Sequence, residues 1–231
     1  MKTKWQAKLN SLKTVMLATG TLFVLHLAGG QCDPPANGLA AWWPAEGTAV
    51  DVIGTNNGSL HGNVVYTAGK AGQGFVFNGT GGYVQTPPVT KAMSEGTVEL
   101  WFNLNTWNWN SANNGLYIWA GTQGAPVNSG TPNGGDGINL GNHRSYTSTG
   151  ELMFGIYEFG VGGRGWLWAH SGLVPQTNTW YHVAGTWGAS GIRLYVNGAI
   201  TATNSYTAPA PTNSLYNIIG RSSWPDRKSV V

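Results

Sequence analysis

Short runs of alternating apolar and polar residues follow one another along the chain, with glycine, asparagine or proline between them. Residues 97–102 show the pattern clearly, because Val98, Leu100 and Phe102 occupy every second position. The intervening positions are Thr97, Glu99 and Trp101. Side chains alternate between the two faces of a strand, so this run predicts a strand with one buried face.

A two-residue turn is predicted at Asn197-Gly198, because this pair favours the type I′ turn of an antiparallel hairpin. The same pattern along the chain predicts twelve strands, near Leu39–Trp43, Gly74–Phe77, Tyr83–Thr86, Thr97–Leu104, Leu116–Ala120, Ile138–Leu140, Leu152–Tyr157, Trp166–Ala169, Trp180–Trp187, Ile192–Val196, Ile200–Ser205 and Tyr216–Ile219. No helices lie between them, as a parallel sheet would require. The sequence therefore predicts an all-β fold, either two antiparallel sheets packed face to face or a barrel.

The first thirty residues have the pattern of a secretory signal peptide. Four lysines precede an apolar run from Val15 to Leu27, and Ala28-Gly29-Gly30 places small residues before Gln31. The apolar run is short for a membrane span. We therefore expect residues 1–30 to be removed, which leaves a secreted or cell-surface protein with no membrane span in the mature chain.

Removal of that segment changes the charge balance. The full chain carries 12 basic and 9 acidic residues, and four of the lysines lie within the first thirteen positions. The remaining chain is close to neutral and offers no basic face for a phosphate backbone, so nucleic acid is not an expected partner. The composition, with 12 tryptophans and 35 glycines but only 9% charged residues, is typical of a folded β protein.

Residues 31–38 form a short linker that Pro34 and Pro35 stiffen. The linker contains Cys32, the single cysteine of the chain, which therefore cannot form an internal disulfide. The preceding Gln31 is too large for a bacterial lipid-anchor motif. Cys32 is expected to be free or to pair with a partner outside this chain, so the fold must depend on its apolar core.

A set of short motifs occurs in one order between Gly38 and Ser223. They are Gly38–Pro44, Asp51–Gly54, Asn57-Gly58, Gly69–Gly79, Tyr83-Val84, Thr97–Phe102, Trp180–Trp187, Leu194–Gly198 and Ile218–Arg221. The ordered set resembles bacterial laminin-G-like jelly-roll domains, of the concanavalin A-like lectin/glucanase superfamily. The resemblance implies a jelly-roll sandwich over residues 39–225. It also implies a mostly non-catalytic module whose relatives bind glycans or proteins.

The resemblance ends where the family would show a further strand that pairs with the first one. This chain continues instead with Trp224-Pro225 and the six residues 226–231. A common sequencing adapter encodes the same six residues, which predicts a non-native tail on a truncated fragment. The predicted sandwich therefore lacks its C-terminal strand.

Two carboxylates have a spacing seen in some glycosidases of this superfamily, Glu95 and Glu99. Retaining glycosidases hold their two carboxyl groups about 5–5.5 Å apart. The stretch Gly96-Thr97-Val98 lacks the aspartate that those enzymes place between the pair, and Glu95 is expected to precede the strand. His61, His143, His170 and His182 show neither a nucleophile-and-base arrangement nor zinc-ligand spacing. We therefore expect no enzymatic activity.

Calcium is a candidate cofactor, because relatives often hold one ion at the rim of the sandwich. Glu46, Asp51 and Asp136 are the loop carboxylates that offer suitable hard oxygen ligands. The alternative for Asp51 is that its side chain caps its own turn through hydrogen bonds to the backbone.

Aromatic side chains are the strongest indication of ligand binding. Trp107 and Trp109 stand two positions apart beside Asn110, so an extended backbone would direct both indoles the same way. Indole faces can stack on sugar rings, and asparagine can bind hydroxyl groups. Trp166 and Trp168 repeat the arrangement after Arg164. The alternative is that both fill the core or cover its ends. The glycine-rich loop that ends at Asp136 is the next candidate.

These observations predict a non-catalytic carbohydrate-binding or adhesion module. Its partners would be polysaccharides or the glycans of glycoproteins. Two alternatives stay open: a protein-interaction or structural domain of a larger surface protein, and a glycoside hydrolase or lyase of the same superfamily. An acidic pair in a cleft would favour the enzyme, and exposed tryptophans on an open face would favour glycan binding.

Overall fold

The computed structural model describes residues 37–79, 81–105, 117–123, 136–142, 149–158, 165–207, 209–211 and 214–220. The chain divides into two compact units, Met1–Leu39 and Ala40–Val231. The described part of the first unit is a turn at Asn37-Gly38 followed by Leu39. Regular structure in the described residues is entirely β-strand. In this part of the chain no helix has the length and apolar character needed to cross a membrane.

The described residues form thirteen strands: β1 (Ser59–His61), β2 (Val64–Ala68), β3 (Gln73–Phe77), β4 (Tyr83–Thr86), β5 (Gly96–Asn103), β6 (Tyr117–Gln123), β7 (Asp136–Gly141), β8 (Met153–Glu158), β9 (Gly165–His170), β10 (Trp180–Trp187), β11 (Ile192–Val196), β12 (Ala199–Asn204) and β13 (Ser214–Ile219). A seven-stranded sheet has the order β1-β4-β13-β6-β7-β8-β9, and a four-stranded sheet has the order β12-β11-β10-β5. Strands β2 and β3 form a separate pair. Neighbouring strands are antiparallel, as predicted.

One apolar core lies between the two larger sheets, and both contribute to it. Its fully buried side chains include Ile138, Leu140, Phe154 and Ile156 of the seven-stranded sheet, and Val183, Ile192 and Leu194 of the four-stranded sheet. Burying each such side chain stabilises the fold by about 1.5–3 kcal/mol. The fold is therefore a two-sheet antiparallel sandwich, one of the two alternatives that the sequence left open.

Strand β5 confirms the predicted alternation. Val98 and Leu100 pack against the core, whereas Trp101 keeps 48% of its surface exposed. The strand pairs along its whole length with β10, which places Trp101 opposite His182. The outer face of the four-stranded sheet therefore carries Glu99, Trp101 and His182, directed away from the core.

The predicted hairpin at Asn197-Gly198 is also confirmed. The two residues connect β11 to β12 and have φ angles of 51° and 82°. Positive values at both central positions are the requirement of a type I′ turn, whose twist matches that of the strands.

The predicted strand at Leu39–Trp43 is wrong, because these residues pair with no strand. The Trp42 N–H donates to the Asp51 carboxylate at 2.9 Å, and the Trp42 carbonyl accepts from Val52 N at 3.0 Å. The Asp51 side chain and the Val52 backbone thus take the groups of Trp42 that a ladder would use. Strands β1 and β2 were not predicted.

Strand β9 lies at one end of the seven-stranded sheet, with β8 as its neighbour. The Trp168 carbonyl accepts a hydrogen bond of 3.0 Å from Asn204 Nδ2, and Asn204 is the last residue of β12 in the other sheet. This bond joins the two sheets along one edge of the sandwich.

Candidate functional site

The predicted tryptophan pair of β9 lies on the outer face of the seven-stranded sheet. Ala169 belongs to the core and Leu167 packs against it, so Trp166 and Trp168 point the opposite way. Tyr157 lies opposite Trp166 on β8, and His170 continues the row on β9. We call these four residues the β9 strip. Neither tryptophan fills the space between the sheets.

The rings of the strip are in direct contact. Trp166 and Trp168 are stacked, with 4.4 Å between ring centroids and 14° between planes. Tyr157 meets Trp166 edge to face at 5.4 Å. Trp168 is only 6% exposed, whereas Trp166 and Tyr157 are half-buried. Trp168 therefore supports Trp166, which is the ring that can meet a ligand.

The indole of Trp168 packs directly against the backbone of a glycine. Gly155 is the cross-strand partner of Trp168, and a Cβ atom at this position would lie 2.8 Å from Trp168 Cδ2. Such a contact is closer than packed carbon atoms permit, so only glycine lets the indole lie flat on β8. The ring stack thus depends on a residue that carries no side chain.

A carboxylate–imidazole pair lies at the end of the strip. His170 Nδ1 is 3.1 Å from Glu151 Oε1, and Gly172 N donates to Glu151 Oε2. The Glu151 side chain is 12% exposed and that of His170 is 44% exposed. The carboxylate is therefore held by the protein, while the imidazole faces solvent. Sequence reasoning did not find this pair, since its members lie 19 positions apart.

Buried amides lie beside the strip. Asn139 of β7 occupies the same cross-strand row as Gly155 and Trp168 and has no exposed surface. Within the described residues its Oδ1 and Nδ2 have no hydrogen-bond partner. Asn142 is equally buried and donates through Nδ2 to the Glu151 carbonyl at 2.9 Å.

The two candidate catalytic carboxylates do not belong to the strip. Glu95 precedes β5, as expected, and Glu99 projects from the outer face of the four-stranded sheet. Glu99 Oε2 is 3.9 Å from His182 Nε2, and its side chain is 66% exposed. The neighbouring Trp101 contacts the His182 ring at 5.1 Å. Glu99 and the β9 strip thus lie on opposite outer faces of the sandwich.

Asp51 is a structural anchor of the segment that follows Ala40. Oδ1 accepts hydrogen bonds from the backbone N–H groups of Trp42 and Ile53, and Oδ2 accepts from the backbone and side-chain amides of Asn56. Burial alone would raise the pKa of Asp51, but these hydrogen bonds outweigh it and lower the pKa from 3.8 to about 2.

Of the three candidate calcium ligands, Asp51 has no acceptor position left for an ion. A carboxylate has about four acceptor positions, and four N–H donors already use those of Asp51. Glu46 accepts from Gln73 N at 3.0 Å. Among the described side chains no three His, Cys, Asp or Glu residues come close enough to hold an ion. Calcium binding therefore stays a prediction without support from Asp51.

Several predicted site residues belong to segments outside the described part of the chain. Trp107, Trp109, Asn110 and Arg164 lie outside the described residues. Asp136 begins β7, but its side chain also lies outside the description. Of the predicted ligand-binding residues, the structure places the side chain of Trp166, and it adds Tyr157 and His170 as neighbours.

Comparison with known proteins supports the fold. The sequence profile described as "Concanavalin A-like lectin/glucanases superfamily" matches residues 78–229. No curated protein matches the chain.

Three solved structures resemble the chain at low sequence identity. Domain 4 of AbnA, an extracellular GH43 arabinanase from Geobacillus stearothermophilus solved with arabinotriose, has a TM-score of 0.61 and 16% identity, over 83% of this chain and 87% of that one. An enzymatically active domain of bacteriophage CBA120 tailspike protein 2 has a TM-score of 0.50 and 14% identity, over 77% and 28% of the two chains. An endo-β-1,4-glucuronan lyase from the fungus Trichoderma reesei has a TM-score of 0.46 and 14% identity, over 74% and 79%.

Proposed function

The chain belongs to the concanavalin A-like lectin/glucanases superfamily, and from this membership we propose that it is a non-catalytic carbohydrate-binding module of a secreted or cell-surface protein. The observation that carries the proposal is the β9 strip. It combines a partly exposed indole, a supporting second indole and an edge-on phenol on the outer face of the last two strands of the seven-stranded sheet. Aromatic faces beside polar groups suit the apolar faces and hydroxyls of a sugar ring.

The placement of the carboxylates supports binding over catalysis. A glycosidase needs two carboxyl groups on either side of the scissile bond. Glu99 lies on the opposite outer face from the aromatic strip and is mostly exposed. Glu151 is held by His170 and Gly172. The structural likeness to the arabinanase domain, solved with a bound trisaccharide, supports an uncharged saccharide as the first ligand to test.

The two alternatives are distinguished by what the protein does to a saccharide. A glycoside hydrolase would release new reducing ends, and a lyase would release unsaturated products. A protein-adhesion domain would bind no polysaccharide and would retain a surface protein instead. The secreted or cell-surface location rests on the signal-peptide pattern of residues 1–30.

We expect Trp166→Ala to weaken binding of arabinotriose or an insoluble arabinan by about tenfold or more, because stacking aromatic residues dominate shallow sites. Isothermal titration calorimetry and polysaccharide retention measure the effect. Trp101→Ala is the matched control, since it truncates an exposed indole on the opposite face. It should leave binding unchanged.

Circular dichroism and thermal melting establish that both variants fold. Unchanged binding by folded Trp166→Ala would exclude the β9 strip as the binding site, and Trp107 and Trp109 would then be the next residues to replace. Failure of the wild-type protein to bind any saccharide on an array of neutral and acidic glycans would overturn the proposed function itself.

A further inference from the structure

We infer that His170 is the polar ligand-binding residue of the β9 strip, and that Glu151 orients it so that Nε2 accepts a hydrogen bond from a hydroxyl of an uncharged saccharide. This inference rests on the proposed function and identifies the chemistry of the same site.

The position of His170 fits this role. Residues two apart on a strand lie about 7 Å from each other on the same face, so Trp166, Trp168 and His170 form a row along β9. Trp166 stacks on Trp168, and the His170 side chain, 44% exposed, continues the row towards solvent. Trp166 and His170 are four positions apart, about 13 Å along the strand, so a saccharide of several units that stacks on Trp166 could extend to the imidazole.

The contact with Glu151 fixes the orientation of the His170 imidazole. Glu151 Oε1 is 3.1 Å from His170 Nδ1, and Oε2 accepts from Gly172 N. The Asn142 amide, itself without exposed surface, donates to the Glu151 carbonyl. Both carboxylate oxygens are therefore engaged, and Glu151 cannot turn away. It acts as a positioning residue, since its carboxylate points at Nδ1.

The carboxylate determines which nitrogen carries the proton. A carboxylate accepts hydrogen bonds, so the neutral ring places its proton on Nδ1 and its lone pair on Nε2. An anionic partner on Nδ1 also makes Nε2 a stronger acceptor. Among the described residues no hydrogen bond involves Nε2. A sugar hydroxyl can donate to this atom.

The charges around His170 indicate the ligand class. Glu151 is the charged group that contacts the ring, Met153 is its apolar cross-strand partner, and Asn142 is uncharged. A uronate or sulfate placed at Nε2 would approach the Glu151 carboxylate, which disfavours it. An uncharged saccharide meets no such repulsion.

The test compares three folded variants with arabinotriose as the uncharged probe and trigalacturonate as the anionic one. At pH 8 we expect His170→Ala to lower arabinotriose affinity by about tenfold, the value of one hydrogen bond. His170→Gln retains an acceptor and should stay within about threefold of wild type. His182→Gln is the matched control, because His182 also lies near a glutamate but on the opposite face. It should bind as the wild type does.

The anionic probe provides the second measurement. Stronger binding of trigalacturonate than of arabinotriose would overturn the assigned ligand class.

A measurement without ligand tests the orientation of His170 by Glu151 separately from the proposed carbohydrate binding. Nitrogen NMR of the wild type should show the neutral His170 ring protonated at Nδ1, and Glu151→Gln should give a mixture of the two tautomers. A ring protonated at Nε2 refutes the orientation by Glu151, whatever the protein binds. If Trp166→Ala loses binding and both His170 variants do not, the proposed function stands and this inference fails.

Discussion

We expect Gly185→Ala to lower the free energy of unfolding by about 2 kcal/mol, although alanine is the better strand residue. Gly185 lies on the inner face of β10, and a Cβ atom there would lie 2.5 Å from Phe154 Cγ and closer to two other ring carbons. Phe154 has no exposed surface and packs at 6.4 Å from the Trp187 ring. It cannot move away without disturbing the core, and overpacking costs about 1–3 kcal/mol.

Thermal melting and urea unfolding measure this effect. For a domain of this size the midpoint should fall by about 4–8 °C. Gly74→Ala is the matched control, since Gly74 lies in β3 and the nearest atom to an added Cβ is 3.8 Å away. We expect that variant to be as stable as the wild type. Phe154→Leu should restore part of the stability of Gly185→Ala. If Gly185→Ala and Gly74→Ala were equally stable, Phe154 would have room to shift.

The second large effect concerns Asp51. We expect Asp51→Asn to destabilise the fold at pH 7 by about 2 kcal/mol, the energy that corresponds to lowering a pKa from 3.8 to about 2. An asparagine retains one acceptor oxygen, but its NH₂ group would face the two N–H donors of Asn56. The two N–H donors of Asn56 would then have no acceptor, which lowers the free energy of unfolding further.

The effect of Asp51 depends on pH with a definite sign. Because the folded pKa lies below the unfolded one, the carboxylate stabilises the fold fully above about pH 4. This contribution disappears as the pH falls from 3.8 towards 2. Urea unfolding at pH 7, 5, 3 and 2 should therefore show wild type and Asp51→Asn converging in acid. Glu46→Gln should change stability by about 0.5 kcal/mol or less, because Glu46 is exposed. A constant difference between wild type and Asp51→Asn at every pH would contradict the role of the charge.

Alternation and turn chemistry were enough to predict most strands. Tyr83–Thr86, Trp180–Trp187 and Ile192–Val196 have the predicted bounds. The error at Leu39–Trp43 has a local cause, since the apolar run is strand-like but the carboxylate of Asp51 takes its backbone donor. β1 has three residues and no buried side chain, so its sequence carries little pattern. The β-branched and aromatic run Val64–Ala68 could have revealed β2.

The site was predictable only in part. The spacing of Trp166 and Trp168 predicts that both rings share a face, and the structure places them together. Which neighbours they meet depends on the register of β8 against β9, and no local signal determines that register. Tyr157 and Glu151 were therefore missed. His170 was considered as a catalytic residue or a metal ligand, so its pairing with a carboxylate 19 positions earlier went unnoticed.

The hydrogen bond from Asn204 to the Trp168 carbonyl has a consequence for self-association. An edge strand with free backbone groups invites strands from other molecules, and edge pairing is a common route to aggregation. A strand that approached β9 would first have to displace the Asn204 amide, which already uses an edge acceptor. The β9 strip can thus lie at the edge of a sheet and be accessible from the side. Pairing of a second copy of the protein along that same edge is hindered.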